Sequence, residues 1–170
     1  NILNMQTKQE TSIGLPAQNY TVAALQRNFG AQSNITFSLV NKQSLGVERS
    51  DSLKFFSQNV FRQIQVGNRT ELRPNTYNRV LSVDLEAASK DTRWYHSSYL
   101  SKSFDDFNNR ENLSGLAFGS YSTRTFSAFS GFSFINEFFN AEAGFVPSAR
   151  AYPGQYSFFS NLGYQIYPER

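Results

Sequence analysis

The segment YNRVLSVDLEAAS, Tyr77 to Ser89, alternates between two kinds of side chain along its whole length. One alternate set is mostly apolar, and the other set is mostly polar. Successive side chains of a β-strand point to opposite faces of the sheet, so this period of two predicts a strand with one apolar and one polar face. The apolar set is Tyr77, Arg79, Leu81, Val83, Leu85 and Ala87, and the polar set is Asn78, Val80, Ser82, Asp84 and Glu86.

The segment TFSAFSGFSF, Thr125 to Phe134, combines phenylalanine with serine, glycine and threonine and carries no charge. It is too polar for a dense soluble core and shorter than the ~20 apolar residues of a membrane helix. The whole chain shares this texture, with 17 Phe and 9 Tyr among only 39% hydrophobic residues. Such a mixture is typical of strands that are apolar on one face and polar on the other.

Alternation recurs along the chain and predicts one all-β unit over residues 1–170. About seven to nine strands of ~9–12 residues are expected. The polar stretch 44–76 is predicted to be a long, partly structured loop, in which FFSQNVFRQIQV (55–66) forms a short helix or an extra hairpin. Besides the segment from Tyr77, the predicted strands are Ile2–Lys8, Asn19–Arg27, Asn34–Asn41, Thr92–Ser103, Ser114–Thr123, Arg124–Phe134 and Gln155–Tyr167, with a broken aromatic stretch at 138–146.

Strand length indicates the kind of sheet. Soluble strands average ~5–6 residues, whereas strands of membrane barrels need ~9–11 with alternating faces. We therefore expect an antiparallel, up-and-down transmembrane β-barrel in contact with membrane lipid, and the alternative is a soluble β-sandwich. Polar residues predicted to face the barrel lumen are Asn78, Ser82, Asp84 and Glu86. Aromatic residues predicted to lie at the membrane interface are Tyr77, Trp94, Tyr99, Tyr156 and Tyr167.

Several kinds of site are disfavoured by composition. The chain has no cysteine, which excludes disulfides, thiolate zinc sites and cysteine nucleophiles. The net charge of +3 is spread along the chain, so a nucleic-acid partner is not expected. The single histidine, His96, is interpreted as an ordinary strand position, and no cofactor, metal or catalytic residue is predicted.

Two minor interpretations concern binding and catalysis. Asp84 and Glu86 are two apart on one face, about 7 Å on a strand, which is within the range of glycosidase carboxylate pairs. Lumen residues paired with neighbouring cations are the commoner occurrence. Trp94 and Tyr95 fit a sugar-stacking platform, although adjacent aromatics at a strand start are more often interfacial anchors.

Four segments resemble, in order, the barrel of one family of Gram-negative outer-membrane proteins. FFNAEAGFVPSAR (138–150) resembles the family's F-x-P-E-x-G-F-V-x-R segment, with Ala141 in place of the usual proline. The other three are NILNMQT (1–7), NYTVAALQRNFGAQSNITFSLVNKQ (19–43) and NRVLSVDLEAASKDTRWYHSSYLSKS (78–103). Members of this family carry an N-terminal carbohydrate-binding module of the family-9 type and a C-terminal β-barrel of unknown function.

The resemblance implies that the chain is a fragment of a larger barrel in the Gram-negative outer membrane. Its partners would then be lipid, the rest of the parent barrel with its carbohydrate-binding module, and other outer-membrane proteins. The expected role is non-catalytic, in anchoring or transport. The alternatives are a soluble β-sandwich that binds glycans and, third, a glycoside hydrolase using Asp84 and Glu86.

Overall fold

The fold is known from a computed structural model that describes residues 1–48, 51, 61–107, 110–143 and 154–167. These residues form ten strands and one short 3-10 helix, Thr11–Ile13. The strands are β1 (Ile2–Thr7), β2 (Ala17–Phe29), β3 (Ser33–Leu45), β4 (Phe61–Val66), β5 (Arg69–Pro74), β6 (Tyr77–Ala88), β7 (Trp94–Asp105), β8 (Leu113–Ser122), β9 (Phe126–Ile135) and β10 (Gln155–Tyr164).

Eight of the strands form one antiparallel sheet in the order β1-β2-β3-β6-β7-β8-β9-β10. Strands that follow one another in this sheet pair with one another, which is up-and-down topology. β4 and β5 pair only with each other, as a separate hairpin between β3 and β6. Within the described residues β1 and β10 each pair with one strand, so the sheet is open there. The same up-and-down order of strands occurs in barrels and in sandwiches. The order of strands alone is therefore compatible with either fold.

The prediction of an all-β antiparallel fold is confirmed, and the main sheet has eight strands. One of the two alternatives predicted for 55–66 is confirmed, because residues 61–66 form a strand of an extra hairpin, while 55–60 lie outside the described residues. Two details differ from the sequence prediction. β3 continues through Ser44 and Leu45, into the predicted loop. Of the aromatic stretch 138–146, residues 138–143 form turns and irregular backbone rather than a strand, and 144–146 lie outside the described residues.

Directly paired residues lie on the same face of a sheet, so the register divides the strands into an apolar face and a polar face. Leu81 pairs with Leu39, and Val83 pairs with Phe37 and Leu100, all on the apolar face. The polar face carries, among others, Lys42, Ser44, Asn78, Ser82, Asp84, Glu86, Ser101, Ser103, Asp105 and Ser114.

Exposure of the two faces is the reverse of that in a soluble protein. Leu81 is 49% exposed and Leu100 is 51% exposed, whereas Asn78 and Ser103 are each 2% exposed. Within the described part of the chain the only buried large hydrophobic residue is Phe139. Buried polar groups need hydrogen bonds to offset the loss of water. The buried contacts of this structure are therefore mainly hydrogen bonds on the polar face, and not the packing of an apolar core.

Connections of two lengths separate the two ends of the sheet. The short-turn end carries the links 30–32, 89–93 and 123–125, and the long-connection end carries 8–16, 46–76, 106–112 and 136–154. Short and long links therefore alternate strictly along the sheet, as they do in outer-membrane barrels.

Lys90 and Asp91, which lie between two predicted strands, form the turn between β6 and β7. The Ser89 hydroxyl donates to Asp91 Oδ1 (2.6 Å), and the Arg93 backbone N–H donates to the same oxygen (3.3 Å). The Ser89 hydroxyl, followed by the Arg93 N–H, lowers the pKa of the Asp91 carboxyl below its ordinary value. The ionised form of Asp91 is thus the one that holds this turn.

Gly131 of β9 allows two aromatic rings to meet across its strand. It pairs with Phe118 on one side and Phe159 on the other, and those two rings stack with centroids 6.1 Å apart. A Cβ at Gly131 would lie 2.3 Å from Phe159 Cζ, whereas a Cβ at Gly119 would meet nothing within 4 Å. The small residue is therefore required at position 131 but not at 119.

We expect Gly131→Ala to lower the free energy of unfolding by about 1–3 kcal/mol, the usual range for overpacking. Gly119→Ala, the matched control in β8, should be neutral or slightly stabilising because it restricts the unfolded chain. Urea titration of both variants checks this. Equal effects at the two positions would show that the Phe118–Phe159 stack is not a packing constraint.

Candidate functional site: a strap across the polar face

Residues 136–143 leave β9 and cross the polar face at the long-connection end, and we call this segment the strap. The Asn136 N–H donates to Leu113 O (2.8 Å), and the Phe138 N–H donates to Glu111 O (3.1 Å). Farther along, the Asn140 N–H donates to Ser103 Oγ (3.0 Å) of β7. The strap thus passes from the start of β8 over β7, toward β6 and β3.

Asn78, the first polar-face residue of β6, holds the strap at two points. Its side-chain nitrogen donates to Asn140 O (2.9 Å), and its side-chain oxygen accepts from the Glu142 N–H (3.0 Å). A side-chain amide offers one donor group and one acceptor at fixed spacing, so it can bond an extended backbone as a neighbouring strand would. This explains why the polar residue Asn78 is 2% exposed.

Glu142 forms a buried ion pair at the far side of the strap. Glu142 Oε2 lies 2.7 Å from Lys42 Nζ of β3, and the two side chains are 5% and 9% exposed. The other carboxylate oxygen accepts from Asn75 Nδ2 (2.6 Å) and from Asn140 Nδ2 (3.2 Å). The strap therefore joins residues that are 100 positions apart in the chain.

This buried ion pair makes the attachment of the strap sensitive to loss of either partner. Removing one partner of a buried pair leaves an uncompensated charge, which costs about 3–5 kcal/mol. Hydrogen bonds to both carboxylate oxygens reduce the cost of burying Glu142. In chemical terms the cluster can position the strap and narrow the space above the polar face, and its lysine and carboxylate are both engaged.

The four predicted lumen residues all lie on the polar face, but they serve different contacts. Asn78 belongs to the strap cluster, and Ser82 shares a hydrogen bond with Ser101 Oγ (2.7 Å). Glu86 accepts from Asn34 Nδ2 (3.2 Å) and lies nearer the short-turn end. Asp84 and Glu86 border one recess, whose other lining residues include Gln26, Asn34, Thr36, Ser97 and Tyr99.

The predicted interfacial aromatics do not all lie on one face. Trp94 and Tyr156 are on the apolar face, 62% and 67% exposed, and the Trp94 ring meets Tyr121 at 4.7 Å. Tyr77 is also on that face, with Arg79 over its ring. Tyr167 follows β10 and its hydroxyl donates to Arg124 O (3.3 Å).

Tyr99 is an exception to the predicted aromatic set. It pairs with Asp84 in the middle of β7 and thus lies on the polar face. Tyr99 has the opposite parity from Trp94 on the same strand, and its interfacial position stays a prediction. Tyr95 lies on the same face as Tyr99, and the centre of its ring is 6.3 Å from the centre of the Phe118 ring.

Sequence reasoning missed Lys42, Asn75, Asp105, Asn140 and Glu142 as members of one cluster. Lys42 and Asp105 have the parity of the polar face, a signal that the alternation of β3 and β7 contains. No local pattern in the sequence links 136–143 to β3, because that contact spans the sheet. Phe139, an apolar residue of the strap itself, is buried at 7% exposure.

Within the described residues no cluster of three or more His, Asp or Glu side chains is placed to hold a metal ion. In the same part of the chain, no helix has the length and apolar character to cross a bilayer. His96 lies on the apolar face with a ring nitrogen 3.1 Å from Ser98 Oγ.

We expect Glu142→Gln to lower the free energy of unfolding by about 3 kcal/mol, because Lys42 is left buried without its counter-charge. Adding Lys42→Met should recover most of this loss. The control is Glu137→Gln, an exposed acid of the same strap, with an expected change below about 0.5 kcal/mol. Urea titration measures all three, and a Glu142→Gln effect as small as that of the control would contradict the buried ion pair.

Comparisons of the chain with protein-family models, with curated proteins and with solved structures gave no significant match.

Proposed function

We propose that the chain is a non-catalytic section of an outer-membrane β-barrel with a role in anchoring or in passing solute. The observation that carries the proposal is the reversed exposure of the two faces. Large aliphatic and aromatic side chains cover the exposed face. The buried side chains of the other face are lysine, aspartate, asparagine, glutamine and serine, and that face also carries the Phe118–Phe159 ring stack. A barrel wall in lipid needs this arrangement, with apolar side chains toward acyl chains and polar ones toward water.

Strand length and the alternation of links support the same proposal. Strands β6 and β7 have 12 residues each, and β8, β9 and β10 have 10 each, which matches the ~9–11 residues of a tilted membrane strand. Backbone groups in lipid must all be paired. The outer edges of β1 and β10 would therefore pair with other strands. In the parent protein we propose that these strands belong to the remainder of a larger barrel, and in the isolated chain the two edges would pair with each other or between copies of the chain.

The aromatic residues near the short-turn end suit one interface of the bilayer. Trp94, Tyr121 and Phe126 form a continuous ring contact, with centroids 4.7 and 6.3 Å apart. Amphipathic rings are enriched at the level of the lipid head groups. We base the identity of the parent protein on the resemblance of the four segments. In this proposal the parent carries a carbohydrate-binding module and lies in the Gram-negative outer membrane.

A soluble glycan-binding β-sandwich is the second candidate, favoured by the same exposed Trp94–Tyr121 pair. It requires a second layer over Leu81, Val83 and Leu100, and no described residue covers them. The hydrolase alternative has less support still, because Glu86 is engaged by Asn34 and Tyr95. The barrel section thus accounts for more of the observed surface than either alternative.

The full chain should require detergent or lipid to fold. We expect strand-rich circular dichroism and a cooperative urea transition in micelles or vesicles, and aggregation in plain buffer, because the apolar face needs an apolar solvent. A folded, monodisperse monomer in buffer would overturn the proposal. Glycan binding by that monomer, abolished by Trp94→Ala, would establish the sandwich instead.

A further inference from the structure

The apolar face ends at a sharp line that crosses four strands. We call a set of directly paired residues on β1, β2, β3 and β6 a row. The last apolar row is Ile2, Ala23, Leu39 and Leu81. The next row toward the long-connection end is Asn4, Thr21, Asn41 and Arg79. A single step of two residues along each strand thus changes the face from apolar to polar.

Beyond this line the polar side chains bond mainly to one another. Asn4 Nδ2 donates to Thr21 Oγ1 (2.7 Å), and Asn4 and Asn19 exchange amide hydrogen bonds at 3.1 Å. Such a network satisfies the amide groups along the surface. The boundary of the apolar band is thus formed by hydrogen-bonded polar side chains.

Two cations lie on the line itself. Lys102 pairs with Leu81 in the last apolar row, and Arg79 stands in the first polar row. The two are diagonal neighbours on β7 and β6, a separation of about 7–8 Å between backbone positions. Both side chains point out of the face that the proposed function turns toward lipid.

Neither cation is neutralised within the described part of the chain. Arg79 Nε donates to Asn41 Oδ1 (2.9 Å), and its guanidinium lies 4.7 Å from the centre of the Tyr77 ring. Lys102 Nζ lies 5.5 Å from the centre of the Phe104 ring. Amide and ring contacts orient these side chains but leave both positive charges for an external anion.

We propose that Arg79 and Lys102 bind the phosphate of an anionic lipid at the rim of the apolar face. This inference rests on the proposed function, since it takes the apolar face to be in lipid. A phosphate at the acyl boundary is the group that fits the site, because the guanidinium and ammonium lie where aliphatic rows give way to polar ones on β1, β2, β3 and β6, beside the rings of Tyr77 and Phe104. The same assignment places the strap and the long connections on the side of the membrane nearest this rim.

The test uses the full chain in phosphatidylcholine vesicles with trace spin-labelled phosphatidic acid or spin-labelled phosphatidylcholine. The ratio of protein-immobilised to free label gives the preference for the phosphate-terminated lipid. We expect the wild-type chain to prefer phosphatidic acid, and the double variant Arg79→Gln, Lys102→Gln to lose that preference. Each charge near a bilayer surface contributes about 1 kcal/mol, so each substitution should lower the preference by up to about five-fold.

Lys90→Gln is the matched control, because Lys90 is an exposed cation in the short turn between β6 and β7. It removes one charge at the opposite end of the sheet, away from the two rim cations, and should lower the preference less than either rim substitution does. A preference that is equal in the wild type and the double variant, or missing in the wild type, overturns this inference alone. A wild-type chain that fails to insert, judged by vesicle flotation and circular dichroism, overturns the proposed function itself.

Discussion

The two-residue period of the extended chain is the constraint on which the rest of this structure depends. Each strand sends alternate side chains to opposite faces, so one sequence pattern must suit two environments at once. Here β6 sends Leu81, Val83 and Leu85 to one side and Ser82, Asp84 and Glu86 to the other. Pairing across the sheet repeats this division on each neighbouring strand. The result is a wall with two chemically different surfaces and little material between them.

Once the apolar side is left exposed, the polar side has to provide the structure's enclosed contacts. The strap serves this purpose with groups that would be poor core residues in a soluble domain. Asn78 bonds the strap backbone at two points, and Glu142 meets Lys42 in a buried ion pair. Low exposure strengthens these electrostatic contacts and also makes each of them costly to break singly. Order at the long-connection end therefore depends on polar complementarity rather than on apolar packing.

Alternation predicted the strands and their faces well, because that signal is local. The faces of β6 follow directly from YNRVLSVDLEAA, and the turn at Lys90-Asp91 follows from the polar residues between two periodic runs. The face of Tyr99 does not follow from its aromatic character alone, because its parity on β7 places it opposite Trp94. The strap was missed for a different reason. Lys42 of β3 and Glu142 of the strap are brought together only by the order of the strands between them. Neither local sequence contains information about that order.

The proposed division between a lipid side and a wet side can be tested directly along β6. The chain has no native cysteine, so single cysteines at positions 80 to 86 can each carry an environment-sensitive fluorophore in vesicles. The account predicts a period of two: nitroxide-labelled acyl chains quench the probes at 81, 83 and 85, and aqueous iodide quenches those at 82, 84 and 86. Protection of 81, 83 and 85 from both quenchers would place these residues against a second protein layer and contradict the account.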